Sequence, residues 1–390
     1  NERGVLSTAV AVVFQYGSQG FIGLLLTALL MNTVMPDLFP SFGLFVPLGY
    51  ALGPGQAFAI GGAWEAFGFV GAGSVGLTFA ALGFLIACFV GVFLINYGIR
   101  KGWASRALTE AALIEEKAVR AVRLTGIVPA DHERPVGARL TTYSDAVDSM
   151  TVNAGFVAAV YTLSYIVLRL ISYGLGFFGE LGVDLATNLW GINFVFSMLM
   201  AVLVKKLVYA TGWERVLDSG SLARISGTAV DVMVAAAVGA ISIVVVAAYW
   251  LPILIIGGLT GLIVVVTVPW MCSRLFVSYR FQRTVIIFGA MTGTLPTGLA
   301  LLRVIDPDFS TPVAGDYVYS AAFVFAAMIP MILAMNLPAY SVTRGEPFLF
   351  WLGVIIIGSY MVVSGVVYLI IARRRAFRDA GSLWLARKGE

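Results

Sequence analysis

Two short segments place glycine, proline and polar side chains in the middle of long apolar runs. The first reads GPGQAFAIGG over residues 53–62, and the second reads GAMTGTLPTGLA over residues 289–300. Glycine permits tight turns, and proline prevents a helix from continuing. Backbone groups freed by such a break survive at membrane depth only where they are buried in protein or line a wet cavity. Both segments therefore predict broken helices with unpaired backbone groups.

Freed backbone groups of this kind can bind ions. Carbonyl oxygens suit a hard cation such as sodium, and N–H groups at the start of a half-helix suit a carboxylate. We therefore predict one substrate and ion site built from both segments, with sodium held by backbone groups around Gly55 and Gly293. Its candidate residues are Gly53, Gly55, Gln56, Gly289, Thr292, Gly293, Thr294 and Thr297. The alternative for the second segment is a kinked helix that packs through its small residues.

The chain around these segments is strongly apolar. Of its 390 residues, 59% are hydrophobic and 12% are charged, whereas about 25% of residues are charged in a soluble domain. Runs of about 20 apolar residues can cross a bilayer. Such runs cover 5–31, 76–98, 151–173, 186–204, 228–249, 251–272, 317–335 and 348–371. The composition predicts an all-α polytopic membrane protein whose spans position the two broken segments.

The basic residues predict the orientation of these spans. They cluster in 100–147, 205–224, 274–283 and the tail from Arg373 onward, and basic residues near span ends mark cytoplasmic loops. All four clusters lie inside if residues 285–303 enter and leave the membrane on the cytoplasmic side. The net charge of +4 is then explained by topology, and we expect no nucleic-acid partner.

The order span, broken segment, span occurs twice, in residues 5–98 and 251–335, with opposite orientations. Paired broken segments in the two halves of an inverted repeat point to the binding site of a secondary transporter. The second half has three further spans that the first half lacks. The repeat therefore predicts about three more helices ahead of Asn1, on the order of 90 residues.

This repeat predicts the following domains. Residues 1–99 form the remainder of the first repeat with a re-entrant segment at 41–63, and 100–147 form a cytoplasmic central loop. Residues 148–340 form the second repeat with a re-entrant segment at 285–303. Residues 341–390 form an appended helix and a basic cytoplasmic tail.

The two broken segments resemble the re-entrant segments of the bacterial glutamate:sodium symporter family. GPGQAFAIGGAW is similar to a GHGT-type stretch followed by tryptophan, with Pro54 in place of the histidine and Gln56 in place of the threonine. GAMTGTLPTGLA is similar to the form GFGLGATPTA, with Thr294 in place of an alanine. The positions that match directly are Gly289, Gly293, Pro296 and Thr297. The resemblance covers roughly residues 5–340 by the order of elements.

The resemblance implies a function as well as a fold. The family has two inverted five-helix repeats, a large cytoplasmic central loop and sodium-driven secondary transport. We therefore expect symport of L-glutamate or a similar small carboxylate with Na⁺ across the bacterial cytoplasmic membrane, with no other cofactor. One bundle would move against the other to alternate access. A homodimer is considered by analogy only. The alternatives are a proton- or sodium-coupled transporter of another organic anion, and a non-transporting scaffold or receptor.

Polar residues inside spans are further candidates, because they are costly there. We expect Asp231, near the inner end of its span, to be a cation ligand or coupling carboxylate, or else a carboxylate that snorkels or pairs with arginine. Asn336 is a ligand or the partner of a helix kink. Asn153, Asn188 and Asn193 are expected to donate hydrogen bonds between helices.

The remaining motifs do not indicate an enzyme. A serine in GAGSVG, residues 71–76, would need a base to act as a nucleophile, and no predicted span contains a histidine. The chain also lacks a GxxxxGK phosphate loop. We expect no enzyme, and we expect Cys88 and Cys272 to be small buried hydrophobic residues.

Overall fold

A computed structural model describes residues 2–103, 136–143, 145–179, 182, 186, 189–190, 193–306 and 309–385. These residues form helices and connections without any β-strand. Among them, eight apolar helical segments have enough residues to cross a membrane, although the segment Arg280–Arg303 is broken at Gly293 and Thr294. This confirms the predicted class of polytopic helical protein. Residues 104–135 of the predicted central loop, and Asn188, lie outside the described residues.

The helices divide between two compact units. The first unit comprises residues 1–119 and 237–390, and the second comprises residues 120–236. The division therefore falls inside the second repeat that the sequence predicts. In chain order the helices are α1 (Glu2–Met31), α2 (Pro54–Glu65), α3 (Ala72–Arg100), α4 (Ser149–Gly176), α5 (Asn193–Ala210), α6 (Ser219–Gly239), α7 (Ile243–Ala248), α8 (Trp250–Leu275), α9 (Arg280–Arg303), α10 (Val313–Ala334), α11 (Leu337–Thr343) and α12 (Pro347–Ala372).

Six of the predicted spans correspond to helices of the structure. These are α1, α3, α4, α8, α10 and α12. The predicted span 186–204 falls partly outside the described residues, and α5 covers its second part and continues to Ala210. Cys272 is buried as predicted, whereas the prediction for Cys88 is wrong because this residue lies on the exposed surface of α3.

A candidate membrane span overlaps the predicted span 228–249, but the predicted bounds are wrong. The helix in this region, α6, begins at Ser219 and ends at Gly239. Its start is fixed by Asp218, whose carboxylate accepts hydrogen bonds from the N–H of Ser221 at 2.7 Å and from the hydroxyl of Ser221 at 2.9 Å. An aspartate in this position satisfies N–H groups that a first helical turn leaves unpaired. The following helix, α7, has its own cap at Ser242.

Asn153 connects two segments of the second unit. Its side-chain oxygen accepts a hydrogen bond from the N–H of Asp218 at 3.1 Å, while its amide group donates to the carbonyl of Ser149 within α4. The contact from α4 to the start of α6 is therefore made by the acceptor atom, not by the donor that the sequence predicted. Asn193 begins α5 and is exposed.

The first hairpin comprises residues 42–65 of the first unit. Its first arm is the short apolar helix Phe42–Leu52, and its second arm is α2. The two arms meet at Gly53, which has φ 102° and ψ 175°. The chain reverses there, because rings from both arms meet at the base, with Phe45 and Trp64 centroids 5.0 Å apart.

The second hairpin is α9. Its backbone leaves the helical conformation at Gly293 (φ −149°, ψ 22°) and Thr294 (φ 75°, ψ 167°). The two arms then lie against each other, since a Cβ on Gly289 would come within 2.7 Å of the Cα of Gly298. Residues at both ends, Arg280 and Ile305, line the same cavity. The second broken segment is therefore a helical hairpin with its tip at Gly293 and Thr294.

Helix α3 relates the two hairpins. It has 29 residues and is about 43 Å long at 1.5 Å per residue. Near its start, the Ala72 backbone packs against Gly61 of the first hairpin, and near its end Gly98 packs against Phe281 of the second. Gly83, close to its midpoint, packs against the carbonyl of Thr292. The hairpins therefore have their bases at opposite ends of α3, and the second tip lies beside its middle.

Candidate functional site

The tips of the two hairpins touch each other. A Cβ added to Gly53 would lie 2.7 Å from the Cγ2 atom of Thr294. Both residues also share one backbone conformation, with φ 102° and ψ 175° at Gly53 and φ 75° and ψ 167° at Thr294. This region is nearly restricted to glycine, and another residue there is strained by about 1 to 3 kcal/mol. Thr294 is thus strained and faces Gly53, which has the same backbone conformation. We therefore take this contact as the candidate site.

Each tip is followed at once by the start of a helix. In the first hairpin, the earliest backbone bond after the tip runs from the N–H of Ala57 to the carbonyl of Gly53 at 3.0 Å. The N–H groups before it, those of Gly55 and Gln56, have no acceptor within their own helix. Proline supports both starts, at Pro54 and at Pro296, because its missing N–H would be unpaired there anyway.

These helix starts lie at the surface of the chain. Gly55 and Pro296 are exposed, while Gln56, Thr294 and Thr297 are half-buried. Two helix starts that meet at one accessible place bring together two sets of N–H groups and the positive ends of two helix dipoles. The arrangement is chemically suited to a carboxylate, as the sequence predicts.

The other side of the second tip is the C-terminal end of a helical arm, where the last carbonyl groups have no partner within the helix itself. The first arm of α9 ends there, and two threonines cap it from within the hairpin: Thr292 donates to the carbonyl of Phe288 at 2.8 Å, and Thr297 donates to that of Gly293 at 2.5 Å. The hydroxyl of Thr297 therefore joins the two arms across the break. Thr292 is fully buried.

Gln19 of α1 adds a buried oxygen to this region. Its amide nitrogen donates to the carbonyl of Met291 at 2.9 Å. The side chain is 1% exposed, and its Oε1 atom has no hydrogen-bond partner among the described residues. An unpaired buried acceptor costs about 1 to 3 kcal/mol. A hard cation that binds oxygen ligands would satisfy Oε1, and backbone carbonyl oxygens at the end of this arm could complete its ligand set.

Gln19 and its neighbour Gln15 are not among the site residues predicted from the sequence. Both lie in the predicted span 5–31, four residues apart and so on one face of the helix. Both the oxygen and the nitrogen of the Gln15 amide have a partner, since this group exchanges hydrogen bonds with Thr267 of α8 at 3.2 and 3.3 Å. The sequence does contain a signal for both residues: a polar side chain inside a membrane span is costly and therefore points to a specific role.

Two predicted site residues lie away from the tips, and a third has a packing role. Asn336 precedes α11, and its side-chain oxygen accepts a hydrogen bond from the indole N–H of Trp64 at 2.8 Å, at the base of the first hairpin. Asp231 belongs to the second unit, where it is exposed near the middle of α6. Its predicted position near the end of a span is wrong, because α6 begins at Ser219. Gly289 packs between the arms of α9.

The remaining predicted residues meet around the tip contact. They are Gly53, Gly55, Gln56, Thr292, Gly293, Thr294 and Thr297. The fold and this contact define the chain as a polytopic helical protein with two opposed hairpins. Comparison with protein-family models, with curated proteins and with solved structures finds no match. The resemblance to glutamate:sodium symporters therefore stays a prediction from the two motifs.

Proposed function

We propose that the chain is a secondary transporter that couples sodium to the movement of a small carboxylate. The contact between Gly53 and Thr294 carries this proposal. It unites two helix starts and one helix end, which is the backbone chemistry that an anionic substrate and its coupling cation require. L-glutamate is the first substrate to test, because the two motifs resemble those of glutamate:sodium symporters.

The carboxylate would bind the N–H groups that open the second arm of each hairpin. Sodium would bind carbonyl oxygens at the end of the first arm of α9 together with Oε1 of Gln19. Sodium at that position holds the second tip in the conformation that presents its N–H groups. Binding of the substrate then depends on sodium, and uptake requires both.

Each hairpin would enter and leave the membrane on one side, and the two would enter from opposite sides. The positions of their bases at opposite ends of α3 support this placement. Since α3 is about 43 Å long, a tip beside its middle would lie near the centre of the bilayer. The two halves of an inverted-repeat transporter meet at that depth.

Uptake by the purified protein in liposomes tests this function. Radiolabelled L-glutamate is supplied with an inward sodium gradient, and an equal potassium gradient is the control. We expect accumulation with sodium alone, and its loss in Thr297→Val and in Gln56→Ala. Thr33→Val is a matched control, because exposed Thr33 donates to the carbonyl of Leu29 four residues earlier at 2.7 Å, just as Thr297 does to that of Gly293.

Other outcomes separate the alternatives. Uptake that follows a pH gradient and ignores sodium contradicts sodium coupling and supports a proton-coupled transporter of the same architecture. Folded protein that moves neither glutamate nor other small carboxylates contradicts transport and supports a scaffold or receptor.

A further inference from the structure

A polar cavity lies away from the hairpin tips, in the first unit. It has a volume of about 650 Å³ and lies between the first turn of α1, the connection from α8 to α9 and the end of α12. Its charged lining consists of four arginines, which are Arg3, Arg283, Arg373 and Arg375. Nothing in the proposed transport mechanism uses this cavity.

One of the four arginines is neutralised. The guanidinium of Arg283 forms an ion pair with Asp316 at 2.5 Å and stacks over the ring of Phe276 with its centre 5.1 Å from the ring centroid. It also donates to the carbonyl of Ser278 at 3.3 Å. Burial fixes Arg283 in this geometry, since its side chain is 2% exposed. Arg283 therefore forms a rigid wall of the cavity.

The other three arginines form no ion pair with another described residue. In the part of the chain that the structure describes, the ion pairs are Arg283 with Asp316 and Arg378 with Asp379. Four arginines less one neutralised by Asp316 leave three positive charges at the cavity. Arg3 and Arg373 are exposed and Arg375 is half-buried. A guanidinium group can donate two parallel hydrogen bonds to two oxygens of one phosphate, so a phosphate suits the charge and the donor type of these side chains.

The rim of the same cavity is apolar and exposed. Leu6, Val277 and Ile370 line it with 54%, 64% and 65% of their surface accessible. A soluble phosphate would leave these side chains uncovered. A phospholipid has both parts, an anionic headgroup for the arginines and acyl chains for the rim. Basic pockets between membrane helices bind anionic lipid headgroups in this way.

We infer that this cavity binds the headgroup of an anionic phospholipid. Its arginines hold the phosphate, and the acyl chains run along the apolar rim of α1 and α12. The bound lipid joins the first turn of α1 to the end of α12. It therefore stabilises the first unit against thermal unfolding.

The test compares lipids on the purified protein in detergent. Dioleoyl phosphatidylglycerol is the probe and dioleoyl phosphatidylcholine is the neutral control. We expect the phosphatidylglycerol to raise the apparent melting temperature and to remain bound in native mass spectrometry. In the double variant R373Q/R375Q we expect its binding to weaken about 30-fold, from about 1 kcal/mol for each arginine near an anionic lipid and 1.4 kcal/mol for each tenfold change.

A second double variant, R374Q/R378Q, provides the matched control. Arg374 and Arg378 are exposed, lie in the same segment and do not line the cavity. We expect this variant to keep the response to phosphatidylglycerol. An equal loss in both double variants would overturn the inference in favour of diffuse surface charge. An equal shift with glycerol 3-phosphate would overturn the lipid as the ligand, and so would the absence of any response to phosphatidylglycerol.

Discussion

The stabilities of the variants Thr294→Gly and Thr294→Ala, compared with each other, test the backbone conformation of the second tip. Thr294 has φ 75° and ψ 167°, and a residue with a Cβ is strained there by about 1 to 3 kcal/mol. Glycine removes this strain but costs about 0.5 to 1 kcal/mol, because the unfolded chain gains entropy. Alanine retains the strain because it retains the Cβ.

Which of the two variants has the larger free energy of unfolding therefore depends on the fold of this segment. We expect Thr294→Gly to be more stable than Thr294→Ala by on the order of 1 kcal/mol, the strain less the entropic cost. In a regular or gently kinked helix, alanine is instead more stable than glycine by about 1 kcal/mol. The hairpin and the kinked helix thus predict opposite signs, separated by about 2 kcal/mol.

The assay is thermal unfolding of the purified protein in detergent, followed by tryptophan fluorescence. Ala290→Gly is the control in the same helix, because Ala290 is 1% exposed and lies in the regular first arm. Its replacement should lower stability by about 2 kcal/mol, from about 1 kcal/mol of helix propensity and about 0.8 kcal/mol for the buried methyl group. The reasoning is refuted if Thr294→Ala is as stable as Thr294→Gly or more stable, while the control behaves as expected.

Three other changes test separate parts of the structure. Gly53→Ala should lower the free energy of unfolding by about 2 kcal/mol or more, because φ 102° and the 2.7 Å approach to Thr294 leave no room for a Cβ; a neutral effect in thermal unfolding would contradict the tip contact. Gln19→Leu should abolish the rise in melting temperature caused by sodium, whereas Gln15→Leu should keep it; equal responses would exclude Gln19 as a ligand. Hydrogen bonds from the backbone N–H of Ser221 and other donors lower the pKa of Asp218. Its contribution to stability is therefore present above the unfolded pKa of about 3.9 and is lost as the pH falls through the folded pKa. The stability of the wild type should therefore fall more between pH 7 and strong acid than the stability of Asp218→Asn. Parallel profiles of stability against pH would contradict this.

The sequence predicted the places where the hairpins break. Glycine and proline at Gly53, Pro54, Gly293 and Pro296 act locally, so their effect on the backbone can be inferred without knowledge of the fold. The contact between the tips could not be predicted in this way. It depends on α3, whose small residues at Gly83 and Ala87 let the second tip approach its backbone.

Two errors have simple physical causes. Hydropathy places the start of α6 too late, because it ignores the capping aspartate, Asp218, and the polar first turns that follow it. The role of Gln19 cannot be read from the sequence, because it depends on which hydrogen bonds its side chain makes. Gln15 and Gln19 look alike in the sequence, yet only the side-chain oxygen of Gln19 lacks a hydrogen-bond partner. Pairing of this kind depends on neighbouring helices, and one helix alone does not reveal it.

The central claim is that the two tips form a single binding site. Labelling of one introduced cysteine at a time by a maleimide tests it most directly, with exposed Cys88 replaced by alanine and buried Cys272 retained. Gly55→Cys and Pro296→Cys place one thiol on each tip, at exposed positions. We predict that sodium with the transported carboxylate slows labelling at both positions, and that neither ligand alone does so fully. Protection at one tip only, in protein that still transports, would contradict a shared site.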